Sequence, residues 1–194
     1  MLAELFDEVS GGNWITAGEG VQYKLVNRVL YFQCSNGAKD WLYNFDIAQS
    51  VYPCSDVPFM MHEGFNLLWQ SIRHEIEKLD FDTIVGYSQG AALAIMAHEN
   101  FYHRKWYEPK TFTFGCPASI FMPSKQLQKR FTKVANIINP RDIVYYSTMI
   151  FGYRHVGSTK KLGNVKVKTS SFRQWLRELT HHTPERYKLA LKGL

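Results

Sequence analysis

Thr83-Ile84-Val85-Gly86-Tyr87-Ser88-Gln89-Gly90, running on into Ala91-Ala92-Leu93-Ala94-Ile95-Met96-Ala97, is the stretch that decides the fold. Its first three residues read as a short apolar strand and its last seven as a small-residue helix, so Ser88 falls at a strand-to-helix turn. Such a turn lifts the serine hydroxyl clear of a sheet. The flanking glycines, Gly86 and Gly90, let strand and helix approach without side-chain collision. The backbone N–H of Gln89 then opens the helix and points at whatever oxyanion forms on the serine's target. Gly-x-Ser-x-Gly alone is a common pattern, and the strand before it and helix after it are what mark a nucleophile elbow.

The chain around this turn has 194 residues, enough for one domain with a proper core, and residues 1–194 are expected to form a single unit. A hydrophobic fraction of 45% and an aromatic fraction of 15% describe a globular protein. No stretch has the length and apolarity to span a bilayer. The opening Met1-Leu2-Ala3-Glu4-Leu5-Phe6-Asp7-Glu8 is acidic and amphipathic, unlike the basic then apolar start of a signal peptide, and this predicts a cytoplasmic protein. Three cysteines, Cys34, Cys54 and Cys116, make no complete disulfide framework and are expected as free thiols. The net charge of +6 could draw the protein transiently to an anionic membrane surface. Its basic residues are scattered, however, and no nucleic-acid motif accompanies them, so nucleic acid is not an expected partner.

In chain order, Val21–Val26 and Val29–Gln33 are β-rich runs joined by Asn27-Arg28, which predicts a hairpin. Phe65, Leu68, Trp69, Ile72, Ile76 and Leu79 recur at helical spacing, predicting an amphipathic helix over 64–79. The elbow helix is expected to reach about Arg104. Strand candidates follow at 111–114, 134–138, 151–156 and 165–168. A last helical segment begins near Ser171, breaks at His181-His182-Thr183-Pro184 and resumes to Leu191. This alternation predicts an α/β fold, a mainly parallel sheet with helices on both faces and an N-terminal hairpin.

A nucleophilic serine needs a base to take its proton and a carboxylate to orient that base. After an elbow of this kind the chain order is serine, acid, histidine. Asp142 is the only aspartate beyond Ser88, and it stands just past the strand candidate 134–138, where ligands bind in α/β sheets. Three histidines remain: His155, His181 and His182. His155 lies inside a β-like run, which suits a packed ring better than a base. His181 and His182 precede a helix signalled by Thr183 as N-cap and Pro184 at its first position. His182 is preferred because it adjoins the cap, with His181 as the alternative. No ligand spacing supports a metal, and the serine chemistry calls for no cofactor.

These residues resemble a family, the class 3 lipases, the α/β-hydrolase branch that includes fungal triacylglycerol lipases. Leu30-Tyr31-Phe32-Gln33-Cys34-Ser35 with Asp40-Trp41 resembles the family's Phe-Arg-Gly-Ser/Thr strand and the Asp/Asn-Trp after it. His62-Glu63-Gly64-Phe65 is similar to His-x-Gly-Phe, and the elbow to Gly-His-Ser-Leu-Gly-Gly-Ala. Phe114-Gly115-Cys116-Pro117 resembles Phe-Gly-x-Pro, Asn139–Val144 resembles the acid-bearing Asn-x-x-Asp-x-Val, and Tyr153–Gly157 resembles Tyr-x-His-x-Gly. The likeness runs in order from about residue 21 onward.

The resemblance implies an α/β-hydrolase fold and lipid or other small ester substrates, with Ser88 as nucleophile, Asp142 as acid and His182, followed by Tyr187, as base. It implies Ser35 as a second oxyanion donor beside Gln89, and Trp41 and Tyr87 as residues at the substrate. The segment Asn36–Ile47 holds the family's lid position, although its aromatic residues would equally suit a core. Cys34 replaces the usual glycine before the oxyanion residue, Gln33 an arginine, Tyr87 a histidine and Gln89 a leucine. The cysteine is the feature that favours the alternative, a catalytically silent binding protein on a hydrolase scaffold.

Overall fold

The computed structural model describes residues 1–33, 47–105, 107–163 and 182–193. Cys34, Ser35, Trp41, His181, most of the Asn36–Ile47 segment, the strand expected at 165–168 and the helical start near Ser171 lie outside the described residues. The chain enters through helix α1 (Leu2–Val9) and strand β1 (Ile15–Ala17). The predicted hairpin follows as β2 (Val21–Val26) and β3 (Val29–Gln33). Asn27 and Arg28 take φ of 49° and 64°, the paired positive values that a two-residue type I′ turn demands, and Val26 pairs with Val29 across it.

Beyond the hairpin come β4 (Gln49–Val51), β5 (Met60–His62), α2 (Glu63–Ile76), β6 (Thr83–Tyr87) and α3 (Gln89–Lys105). After them lie β7 (Lys110–Phe114), β8 (Ile120–Phe121), α4 (Lys125–Gln128), β9 (Val134–Ile138) and α5 (Ile143–Ser147). The remaining described elements are β10 (Tyr153–Arg154), β11 (Ser158–Lys161) and α6 (Pro184–Leu191). The main sheet has the order β1-β2-β3-β6-β7-β9-β11, antiparallel through β1, β2 and β3 and parallel from β3 to β11. A small antiparallel sheet, β10-β8-β5-β4, stands apart from it.

Alternation along each strand sorts side chains onto two faces. Leu30, Phe32, Ile84 and Val134 join one cluster with Phe65, Trp69, Ile72 and Ile76 of α2 and the alanines of α3. Tyr31, Val85, Tyr87, Phe114 and Ile137 join another with Phe6 and Val9 of α1 and Tyr187, Ala190 and Leu191 of α6. The sheet thus carries helices on both faces, as the sequence pattern predicts. Residues Ala91 to Asn100 of α3 are buried on every side, which explains why that helix is built of small and apolar residues with little amphipathic stripe. Its one buried acid, Glu99, accepts from Arg130 at 2.8 Å and Ser55 at 2.6 Å, the pairing a dry carboxylate requires.

Some expectations give way to local geometry. The run 151–156 is not one strand: Met149–Phe151 is a 3₁₀ turn, and Gly152 takes φ 92° with the Phe121 ring filling the space of a β-carbon. Only Tyr153 and Arg154 then pair, with β8. Strand β11, Ser-Thr-Lys-Lys, is an exposed edge with no apolar alternation to announce it. Helix α2 ends at Ile76 rather than Leu79. Thr183 and Pro184 hold the N-cap and first positions of α6, but the Thr183 side chain makes no capping hydrogen bond and the capping contacts go through its carbonyl.

His155 is a packed ring, as its place in the sequence suggests. Its Nε2 donates to the Tyr145 carbonyl at 2.8 Å and its ring stacks on Tyr145 at 3.7 Å, 4° from parallel. Burial pushes its pKa from 6.5 down to about 4. As the pH falls from 6.5 towards 4, the unfolded chain binds a proton that folded His155 refuses, so this residue removes stability across that window. The measured decline in Tm between those pH values is expected to be shallower in His155→Phe than in the parent. Phe6 is fully buried and touches Tyr87, Phe114 and Tyr187 at ring separations of 5.3, 4.9 and 5.4 Å. Phe6→Ala is expected to lower stability by about 3 to 5 kcal/mol, read as a reduced denaturant midpoint at unchanged slope.

Candidate active site

Strand β6 ends at Tyr87, and Ser88 takes φ 57°, a left-handed conformation that a residue with a β-carbon adopts at about 1 to 2 kcal/mol. The turn is held by Ser88 N–H donating to the Phe114 carbonyl and Ala91 N–H to the Ser88 carbonyl, both at 3.0 Å. The glycines have a steric reason. A β-carbon on Gly86 would stand 2.4 Å from the Gly90 carbonyl oxygen, and one on Gly90 would stand 2.4 Å from the Phe32 carbonyl oxygen. Backbone meets backbone at both places, so no side chain can be turned aside to make room.

Asp142 follows β9 and its loop Asn139–Arg141, as the N-cap of α5, and is fully buried. Its Oδ1 accepts from Val144 N–H at 2.9 Å; its Oδ2 accepts from the Tyr187 hydroxyl at 2.6 Å and meets His182 Nδ1 at 2.7 Å. On the far side of the ring, His182 Nε2 lies 2.6 Å from Ser88 Oγ. A carboxylate only accepts, so Nδ1 carries the ring proton and Nε2 is left to accept from the serine hydroxyl. That is the tautomer a general base needs.

Gly115, at φ 56°, makes room for this arrangement. A β-carbon there would sit 2.7 Å from His182 Cε1 and 2.8 Å from Asp142 Oδ2. Burial pushes the thiol of neighbouring Cys116 far up, keeping it a protonated, inert side chain beside the acid. Gln89 is the first residue of α3, so its N–H belongs to the set a helix leaves without an internal acceptor.

Of the residues singled out in the sequence, Ser88, Asp142 and His182 come together, with Gln89 beside them. Among the described residues, Tyr87 is turned inward. It is 6% exposed, packed among Phe6, Phe114 and Tyr187, and its hydroxyl donates to the His182 carbonyl. The ring reaches the histidine's own loop because residue 87 points to the sheet face opposite α3. Phe6 and the spatial purpose of Gly115 were not foreseen. The Phe-Gly-x-Pro likeness marked Gly115, whereas nothing in residues 1–9 signalled a place behind the acid.

Among the described residues no helix is long and apolar enough to cross a membrane. A sequence search of curated proteins finds no match. Solved structures with the same fold include a lipase of Yarrowia lipolytica, 14% identical with a TM-score of 0.62 over 78% of this chain and 65% of that one. The Rhizomucor miehei lipase propeptide complex is 16% identical, TM-score 0.64, over 87% and 65%. A mono- and diacylglycerol lipase of Aspergillus oryzae is 18% identical, TM-score 0.64, over 83% and 66%. The chain therefore spans slightly under two thirds of the length of these lipases. These structural likenesses show the α/β-hydrolase fold and no more. The family model described as Lipase (class 3) matches residues 29–150, more than half of the sequence and inclusive of both elbow and acid, and by that match the chain belongs to the class 3 lipases.

Proposed function

We propose that the chain is one catalytic unit, a serine carboxylic-ester hydrolase acting on lipid esters. Ser88 Oγ attacks the ester carbonyl as His182 Nε2 takes its proton. The new oxygen–carbon bond leaves a tetrahedral oxyanion, held by the N–H of Gln89 and, as the family likeness implies, by Ser35. His182 then protonates the leaving alcohol as the ester carbon–oxygen bond breaks, leaving an acyl-serine. Water, deprotonated by the same imidazole, repeats the attack and frees the acid and Ser88. Asp142 holds the ring in the needed tautomer throughout.

The observation that carries this reading is the continuous relay from Ser88 Oγ through both nitrogens of His182 to Asp142, with contacts of 2.6 and 2.7 Å. The lipid part rests on the family and on the names of its solved relatives. Exposed Ile143, Ile150 and Phe151, within ten residues of the acid, suit brief contact with a lipid surface during turnover.

A fluorophosphonate probe is expected to label the protein at Ser88. Ser88→Ala should abolish labelling and lower kcat by roughly a millionfold; an unlabelled parent would leave only a silent scaffold. A chain-length series of nitrophenyl esters, run beside phospholipid vesicles, tests the substrate class, and hydrolysis confined to short soluble esters would remove the lipid part. Gly115→Ala, which drives a methyl into the His182–Asp142 contact, should cut kcat by about a hundredfold or more, measured on the same esters with folding checked by circular dichroism.

A further inference from the structure

The residue before the nucleophile has a place of its own in the relay. Because side chains alternate along β6, Ser88 and Tyr87 leave the sheet in different directions. The Tyr87 ring goes to the face that α1 and α6 cover. Phe6 meets it edge-on at 5.3 Å and 87°, and Tyr187 at 5.9 Å and 70°. Both neighbours are themselves fully buried, so the ring's position is set by packing on two sides.

From that fixed seat Tyr87 reaches His182 twice. Its hydroxyl donates to the His182 backbone carbonyl, and its ring lies 19° from parallel to the imidazole at 5.2 Å between centroids. The two chain segments are 95 residues apart in sequence. Asp142 and Gly115 govern where the tip of the imidazole lies, but neither holds the backbone from which it springs. Tyr87 does, and it is joined to Ser88 by a single peptide bond. The distance between nucleophile and base is therefore spanned by one covalent step and one hydrogen bond.

We propose that Tyr87 is a positioning residue: its phenol fixes the His182 backbone so that Nε2 stays within hydrogen-bond distance of Ser88 Oγ. This rests on the hydrolase reading above for its kinetic consequence, and on geometry alone for its structural one. Removing the hydroxyl leaves the stack and the packed ring intact but frees the histidine's main chain. A misplacement of the base by a fraction of an ångström acts on the chemical step and not on ester binding.

The test compares Tyr87→Phe with Tyr107→Phe, which removes another phenol hydroxyl, one directed at the Asp82 carbonyl well away from the relay. On a nitrophenyl ester, Tyr87→Phe is expected to lower kcat by about tenfold to a hundredfold with KM changed less than twofold, and the fluorophosphonate labelling rate should fall in proportion. Tyr107→Phe should match the parent. Proton NMR of the folded proteins gives a readout independent of turnover. The downfield resonance of the His182 Nδ1 proton should broaden or vanish in Tyr87→Phe and persist in Tyr107→Phe. Parental kcat and labelling in Tyr87→Phe, or a loss expressed in KM alone, would overturn the assignment. If the parent neither labels nor hydrolyses esters, the hydrolase reading fails by itself; the resonance then decides, and its persistence in Tyr87→Phe refutes the strap. Should Tyr87→Phe prove too unstable to measure, Tyr87→Met, which fills the space without a donor, must show the same loss.

Discussion

A carboxylate with no exposed surface is tolerated only when donors replace the water it has lost, and Asp142 obtains three from separate parts of the chain. Val144 N–H comes from the first turn of α5, the Tyr187 hydroxyl from α6, and the Nδ1 proton from the loop ahead of α6. The acid is thus the knot that ties the end of β9 to α5 and α6. Its fixed orientation gives the imidazole one tautomer and one direction. Tyr187 is itself held, since the Asn139 N–H donates to its oxygen at 3.3 Å and Phe6 stacks on its ring. Burial together with the charge of Asp142 keeps that phenol protonated far into alkaline solution, so it remains a donor.

The serine is placed by a different device, close contact between backbones. Gly86, Gly90 and the Phe32 carbonyl leave no room for a β-carbon at either glycine, and Ser88 accepts a left-handed conformation as the consequence. The helix that begins there is enclosed on all sides from Ala91 to Asn100, which ties the elbow to a fully buried segment. Strain at the nucleophile is sustained by the close backbone contacts and the buried helix beside it.

Where chemistry is local, the sequence was readable. Asn27-Arg28 between alternating runs gave the hairpin to the residue, Val134–Ile138 gave β9, and the serine–acid–histidine order narrowed the acid to one aspartate and the base to three histidines, of which His155 was set aside by its β-like surroundings. His182 was preferred for its place beside the cap, and its ring lies between Ser88 and Asp142. Contacts that close over long separations left no local mark: Tyr87 to His182 spans 95 residues, and Phe6 to Tyr187 joins the two ends of the described chain. Strand β11 was missed because a polar edge strand owes its form to its neighbour β9 rather than to its own pattern. The side of the sheet that the Tyr87 ring occupies is likewise unmarked, because identity at a motif position says nothing about it.

The packing of Phe6 on Tyr187 has a temporal side. Synthesis delivers residue 6 long before residue 187, and the support behind Asp142 is finished only when the two meet. Until residues 182 and 187 have been made, Ser88 has neither its imidazole nor a braced acid. A chain halted before residue 182 therefore lacks an armed nucleophile, and full support for the acid waits on closing the span from residue 6 to residue 187.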